Sequence, residues 1–223
     1  SVDLSFGLLM EDRFSALRRT IYTDEAEMKR FREIVVNAVM ATDIVDKGTF
    51  GSIIVQNSSH SFIAELKALR NARWEKAFSE SAFANEEDDH IGISRKATIV
   101  IEHLIQASDV AHTMQHWHIY RKWNERFFQE CYEAYKMGRA DKDPTGGWYD
   151  GELGFFSFYI IPLARKLKNC GCFGVSSDEY LNYAEKNRQE WELKGREIVE
   201  EMVEKAEEKW AARQARGVKP LET

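Results

Sequence analysis

Apolar positions recur at helical spacing along most of the chain. From Thr23 an acidic first turn, Asp24, Glu25 and Glu27, precedes Phe31, Ile34, Val35, Ala38 and Val39, a stripe that predicts a capped helix to about Asp46. Residues 48–64, GTFGSIIVQNSSHSFIA, break the pattern with two glycines, a β-branched run and a Ser/Asn cluster, and helical character resumes at Glu65-Leu66-Lys67. They read as an insertion that forms an exposed loop. A polar loop from Asn85 to Asp89 leads into the apolar run Ala97 to Ile105, where a long helix pair is expected to begin. The stripe Trp117, Tyr120, Trp123, Phe127, Cys131 and Tyr135 steps mostly by four, stops at Gly138, a natural C′ residue, and is assigned to the core.

Phe155 to Leu167 forms another apolar helix, and Pro162 within it predicts a kink. Cys170-Gly171-Cys172-Phe173-Gly174 reads as a turn. Ser176 with Glu179 reads as a capping box for a last helix whose inner face is Leu181, Ala184, Trp191, Ile198 and Met202. Beyond Val203 a charged run to about Arg213 predicts solvated final turns, so residues 201–223 are set apart as a charged helical tail. The expected fold is all-α, with residues 24–46, 97–137 and 152–168 around one core.

Composition agrees with long helices: 43% of the 223 residues are hydrophobic, and there are 13 Gly but only 3 Pro. A net charge of −6 gives no broad cationic surface, so nucleic acid is not an expected partner. The three cysteines, Cys131, Cys170 and Cys172, are odd in number and two are separated only by Gly171, which reads as reduced thiols in a cytoplasmic setting. No apolar run approaches the roughly 20 residues of a membrane span. The chain opens with Ser1-Val2-Asp3-Leu4 and enters an amphipathic pattern at once, as a piece of a longer protein would.

Candidate chemistry centres on Ile99 to Val110. Asp109 lies four residues after Ile105, on the expected inward stripe, and so reads as a satisfied core polar group, a helix-ending cap or a metal ligand. His103, His112, His116 and His118 form no HExxH-like pattern and read as surface or loop-packing residues. A separate pattern, Asp141, Asp143, Thr145, Gly146 and Glu152 at positions one, three, five, six and twelve, is that of a single EF-hand calcium loop over 141–152. It defines the alternative function, a non-catalytic helical binding module; the competing reading is a plain polar turn.

Taken in order, Phe31 to Asp46 with Ala41-Thr42-Asp43, Ala107-Ser108-Asp109-Val110, Trp123, Arg126-Phe127-Phe128-Gln129-Glu130, Gly138, and Gly151-Glu152-Leu153-Gly154-Phe155-Phe156 through Ile161-Pro162-Leu163 form a recognisable series. It resembles the C-terminal part of the class I 3′,5′-cyclic-nucleotide phosphodiesterase catalytic domain, in versions found in diatoms and other protists, over roughly residues 1–200 apart from 48–64. The resemblance implies a compact multi-helix, HD-type domain with its N-terminal part missing. It implies metal-dependent hydrolysis of cAMP or cGMP to the 5′-monophosphate in signal transduction, with zinc and magnesium activating water. It places Asp109 on a metal-ligand Asp, Phe155 on the aromatic that stacks on the base, and Glu152 where a glutamine hydrogen-bonds that base. Asp43 falls on a Thr-Asp motif beside the pocket, and His112 where some relatives carry a base-contacting Asn. The H-N-x-x-H and H-D-x-x-H motifs that supply the other metal ligands do not occur in the sequence, so the chain alone is expected to be inactive. Residues 48–64 interrupt a connection that is direct in such relatives, as an unspliced intron or gene-model error would. Some microbial relatives of this kind join the domain to a nucleotide cyclase or a membrane segment, and the resemblance leaves additional domains or a membrane anchor in the parent protein open.

Overall fold

The structure is a computed structural model that describes residues 2–42, 72–78, 90–171, 173–176 and 178–216. No strand occurs among the described residues, and the fold is all-helical as the sequence predicts. Asp43, the segment 48–64 and the loop 85–89 lie outside the described residues. The contacts of the described residues fall into two compact units, one ending at Asp109 and one beginning at Val110, where the sequence predicts a single core.

In the first unit, α1 (Val2–Leu9), α2 (Ser15–Ile21), α3 (Glu25–Thr42) and α4 (His90–Asp109) follow in order, with a further helical stretch at 72–78. The start of α3 is a reciprocal cap: Asp24 Oδ1 accepts the Glu27 N–H at 2.8 Å, while Glu27 Oε2 accepts the Thr23 N–H at 2.7 Å. These two bonds satisfy amide donors that a helix start leaves open, and the Thr23 N–H, joined by the Thr23 hydroxyl at 2.8 Å, holds the Glu27 carboxyl below its ordinary pKa. Helix α4 begins at His90, ahead of the expected apolar run. Gly92 and Ser94 hide that extension from a reading based on hydrophobic periodicity. Gln106 donates to the Ala41 carbonyl at 3.0 Å and ties α4 to α3. His103 is buried against Trp74, ring centroids 4.4 Å apart, with Nδ1 2.7 Å from the Ile99 carbonyl, so it is a core residue and not the surface or loop-packing one expected.

The second unit is built on α5 (Trp117–Lys136), α6 (Trp148–Phe155), α7 (Ile161–Asn169) and α8 (Glu179–Ala215). Helix α5 ends as read: Gly138 takes a left-handed φ of 71°, open to glycine without strain. Its buried face, however, is Tyr120, Asn124, Phe128 and Tyr132. Trp123 and Phe127, assigned to the core by the sequence, are 48% and 45% exposed, and the Arg126 guanidinium lies 4.8 Å from the Trp123 ring. The phase shifts because a polar residue takes an inward position: Asn124 Oδ1 accepts the Trp148 Nε1–H at 3.1 Å, which satisfies both buried groups.

Pro162 lies just after a π-helical turn, Phe156–Ile160, that joins α6 to α7. The wider turn accommodates a residue without an N–H in an otherwise continuous helical path. Ser176 sits in a 3₁₀ turn, and α8 starts at Glu179 with Asp178 as its N-cap and no side-chain cap bond, so the expected Ser176–Glu179 capping box does not form. Helix α8 then runs unbroken past residue 200. Met202 and Ala206 are buried, and Arg213 pairs with Glu133 of α5 at 2.7 Å, so the final turns are packed and not simply solvated.

Candidate functional site

The second unit places two of the sequence-predicted residues, Glu152 and His112, beside one buried tyrosine. Tyr120 points from α5 into the core, fully buried between Phe156 and Trp191, whose rings meet it edge-on at 5.1 and 5.9 Å. Its hydroxyl donates to Glu152 Oε2 of α6 at 2.7 Å. Glu152 is only 3% exposed. Burial raises its carboxyl to about 7, against the opposing influence of the Tyr120 hydrogen bond. The same burial, with the neighbouring carboxylate, raises the Tyr120 phenol well above its ordinary value. Burial therefore favours the neutral acid well above the ordinary carboxylate range.

His112 lies in the 3₁₀ turn Ala111–Met114 and stacks parallel to Tyr120, ring centroids 6.4 Å apart. Burial lowers its pKa and favours the neutral ring. Asn187 of α8 fixes this turn, donating to the Thr113 and Gln115 carbonyls at 2.9 and 2.7 Å. Phe155 is half-buried and stacks on Tyr159, one turn along, at 5.4 Å with the rings 6° from parallel. Glu152 and Phe155 are three apart on α6, so a buried acid and a partly open ring lie within one helical turn.

A cavity of about 510 Å³ is walled by Cys131 and Ala134 of α5, the loop from Ala140 to Gly147, and Trp148 and Gly151 of α6. Its size suits a small molecule. Cys131 connects this wall to the acid: burial, then the charges of Glu130 and Glu152, push its thiol up to about 11, so it stays protonated and inert.

The remaining candidates fall elsewhere. Asp109 is exposed at the end of α4, in the first unit, and not on a buried stripe as the sequence predicts. No group of three His, Cys, Asp or Glu side chains converges among the described residues, so these do not by themselves make a metal centre. The calcium-loop pattern also fails in three dimensions. Asp143 Oδ1 is taken up by the Thr145 N–H and hydroxyl at 2.9 and 2.7 Å, while Glu152 turns inward to Tyr120. The carboxylates at its first, third and twelfth positions thus do not form a cage, and 141–152 is a polar turn running into α6. Sequence reasoning missed Tyr120 as a site residue. The available signal was that a phenol on a buried stripe needs a partner for its hydroxyl.

A family model described as 3′5′-cyclic nucleotide phosphodiesterase matches residues 1–171. No curated protein sequence matches the chain significantly. The crystal structure of the phosphodiesterase domain of the RhoPDE fusion protein from the choanoflagellate Salpingoeca rosetta is similar in fold, with a TM-score of 0.54 and 18% identity. That similarity covers 91% of this chain and 56% of the other, so the chain spans little more than half the length of that domain.

Proposed function

Because the chain belongs to the 3′,5′-cyclic nucleotide phosphodiesterase family, which is metal-dependent, we propose that it is the base-recognising portion of an enzyme that hydrolyses cAMP or cGMP to the 5′-monophosphate. The observation that carries this reading is the Tyr120–Glu152 hydrogen bond one helical turn from the Phe155 ring. A flat ring supplies stacking that any purine accepts, and a hydrogen-bonding group held in place beside it chooses the base edge. His112, turned against Tyr120, borders the same cluster. Asp43, next to Thr42 in the sequence, is proposed as a further pocket residue.

Zinc and magnesium are the proposed metals of the complete domain, where they would supply an activated water and neutralise phosphate charge. Of this chain's residues Asp109 is the proposed ligand. One exposed carboxylate does not hold a dinuclear site, so no catalytic step is assigned to this chain alone. A cytoplasmic setting for this portion is proposed from its three thiols, read as reduced. Among the described residues no helix is long and apolar enough to cross a membrane.

The test is a binding and turnover assay of the chain with cAMP and cGMP, with and without added zinc and magnesium. The expected result is nucleotide binding with little or no hydrolysis, and binding weakened by about 5- to 150-fold in Phe155→Ala, the equivalent of about 1–3 kcal/mol of stacking. Robust turnover that disappears in Asp109→Ala would show that the chain supplies metal ligands besides Asp109 and overturn its expected inactivity. Unchanged affinity in Phe155→Ala would remove Phe155 from the base site.

A further inference from the structure

We propose that Glu152 reads the base as a neutral carboxylic acid, its Oε2 held by Tyr120 and its Oε1 presented to the ligand, so that nucleotide binding is switched by a single proton. This rests on the base-recognition reading above and specifies its regulation. The geometry fixes the roles of the two oxygens. Tyr120 donates into Oε2, which makes that atom the acceptor, and Oε1 has no hydrogen-bond partner among the described residues. With a proton on Oε1 the group accepts on one side and donates on the other, as a primary amide does. Without it the same group is acceptor-only, and the ligand would close over a buried charge.

The surroundings leave that proton under local control. From α5 the titratable groups near Glu152 are Tyr120 and Cys131, both held in their neutral forms by burial. The 3₁₀ turn contributes His112, whose ring burial biases toward its neutral form. From α8 the residue facing Tyr120 is Trp191, which carries no charge and donates to the Tyr149 carbonyl at 3.1 Å. The nearby cations of α8 are engaged elsewhere: Arg196 lies 4.2 Å from the Tyr149 ring, and Arg188 binds Ser157 and Glu192. Among the described residues no fixed positive charge is thus placed to hold Glu152 ionised, and burial alone sets its midpoint near 7. A glutamine here would read the same edge at every pH, whereas this chain would release its ligand as the medium turns alkaline.

The experiment is calorimetric titration of the wild-type chain and of Glu152→Gln with cAMP and with cGMP between about pH 6 and 8.5. It is paired with infrared titration of the carboxyl C=O band in wild type. Affinity of the wild type should fall by about 30-fold across this range, as it must for one proton with a midpoint of about 7, while Glu152→Gln varies less than about twofold. The C=O band should vanish with a midpoint near 7 and be missing from the variant's difference spectrum. Binding that is flat with pH in the wild type, or a carboxyl midpoint near 4.5, overturns the switch and leaves the base-recognition reading standing. Failure of either protein to bind either nucleotide at any pH overturns that reading and the switch with it.

Discussion

Replacing Glu152 by glutamine should remove the loss of stability with rising pH that its burial builds into the second unit. An acid whose folded pKa stands above its unfolded one holds its proton more tightly when folded. Its stabilising contribution is complete below the unfolded value of 4.5 and is lost as pH rises through about 7, where the folded chain must bury a charge or open. Moving a fully buried carboxyl from 4.5 to about 7 is worth about 3 kcal/mol in full, and Glu152 is deep enough for solvent screening to take little of it. Glutamine keeps an acceptor for Tyr120 at every pH, so the variant isolates the proton from the hydrogen bond. Thermal unfolding of both proteins at about pH 5 and pH 8 captures most of that range. Between those two conditions the wild type should lose about 2–3 kcal/mol relative to Glu152→Gln, or about 5 to 10 °C in Tm for a chain of this size. Parallel pH profiles, within about 0.5 kcal/mol, would refute the burial argument, and a wild type that gains on the variant at alkaline pH would reverse its sign.

Tyr120→Phe removes the one influence that lowers the Glu152 pKa, so the infrared midpoint should move above 7 and stability fall by about 1–3 kcal/mol for the acceptor left unpaired. Asn187→Ala should cost about 2 kcal/mol or more by stripping the donor from the Thr113 and Gln115 carbonyls, and amide exchange in the turn carrying His112 should accelerate. Gly195→Ala should destabilise by about 1–3 kcal/mol despite the roughly 1 kcal/mol gain in helix propensity, because the new methyl would stand 2.9 Å from ring atoms of both Trp191 and Tyr149. A urea titration in which Gly195→Ala is more stable than the wild type would mean that those rings shift freely.

The longer helices were legible because each carries its own stripe, whereas α2 and the stretch at 72–78 were not read, and Gly138 marks the end of α5 in sequence and in space. What periodicity could not supply was phase. A stripe drawn through the largest aromatics selects Trp123 and Phe127, whereas the fold buries Asn124 and Phe128, since Asn124 has a partner 24 residues away in Trp148. Capping at α3 was readable because its donors and acceptors lie within one turn of each other. The Tyr120–Glu152 pair is not local in this sense: it spans two helices, and nothing in either helix announces the other. Family resemblance pointed to Glu152 and Phe155, but the proton on Glu152 follows only from burial that the chain's tertiary packing creates.

Glu152 is buried and Asp109 is exposed, and the exposure bears on what Asp109 does. Expected on a buried stripe, it is exposed as the last residue of α4, where the helix dipole presents its negative end. Among the described residues its side chain makes no hydrogen bond or ion pair. A carboxylate at that position opposes the dipole by about 0.3–1 kcal/mol, so it does nothing for the fold that a neutral isostere would not do better. Residues that lower stability in this way are characteristic of sites where chemistry outweighs packing, which fits the proposed role of Asp109 as a metal ligand. Asp109→Asn in the chain without added metal should therefore be as stable as the wild type or more stable, by up to about 1 kcal/mol in urea unfolding. Adding zinc to the wild type should narrow that gap if the carboxylate takes part in ligation. A loss of about 1 kcal/mol or more in metal-free Asp109→Asn would show that Asp109 supports the fold, and the argument for a ligand from misplaced charge would fail.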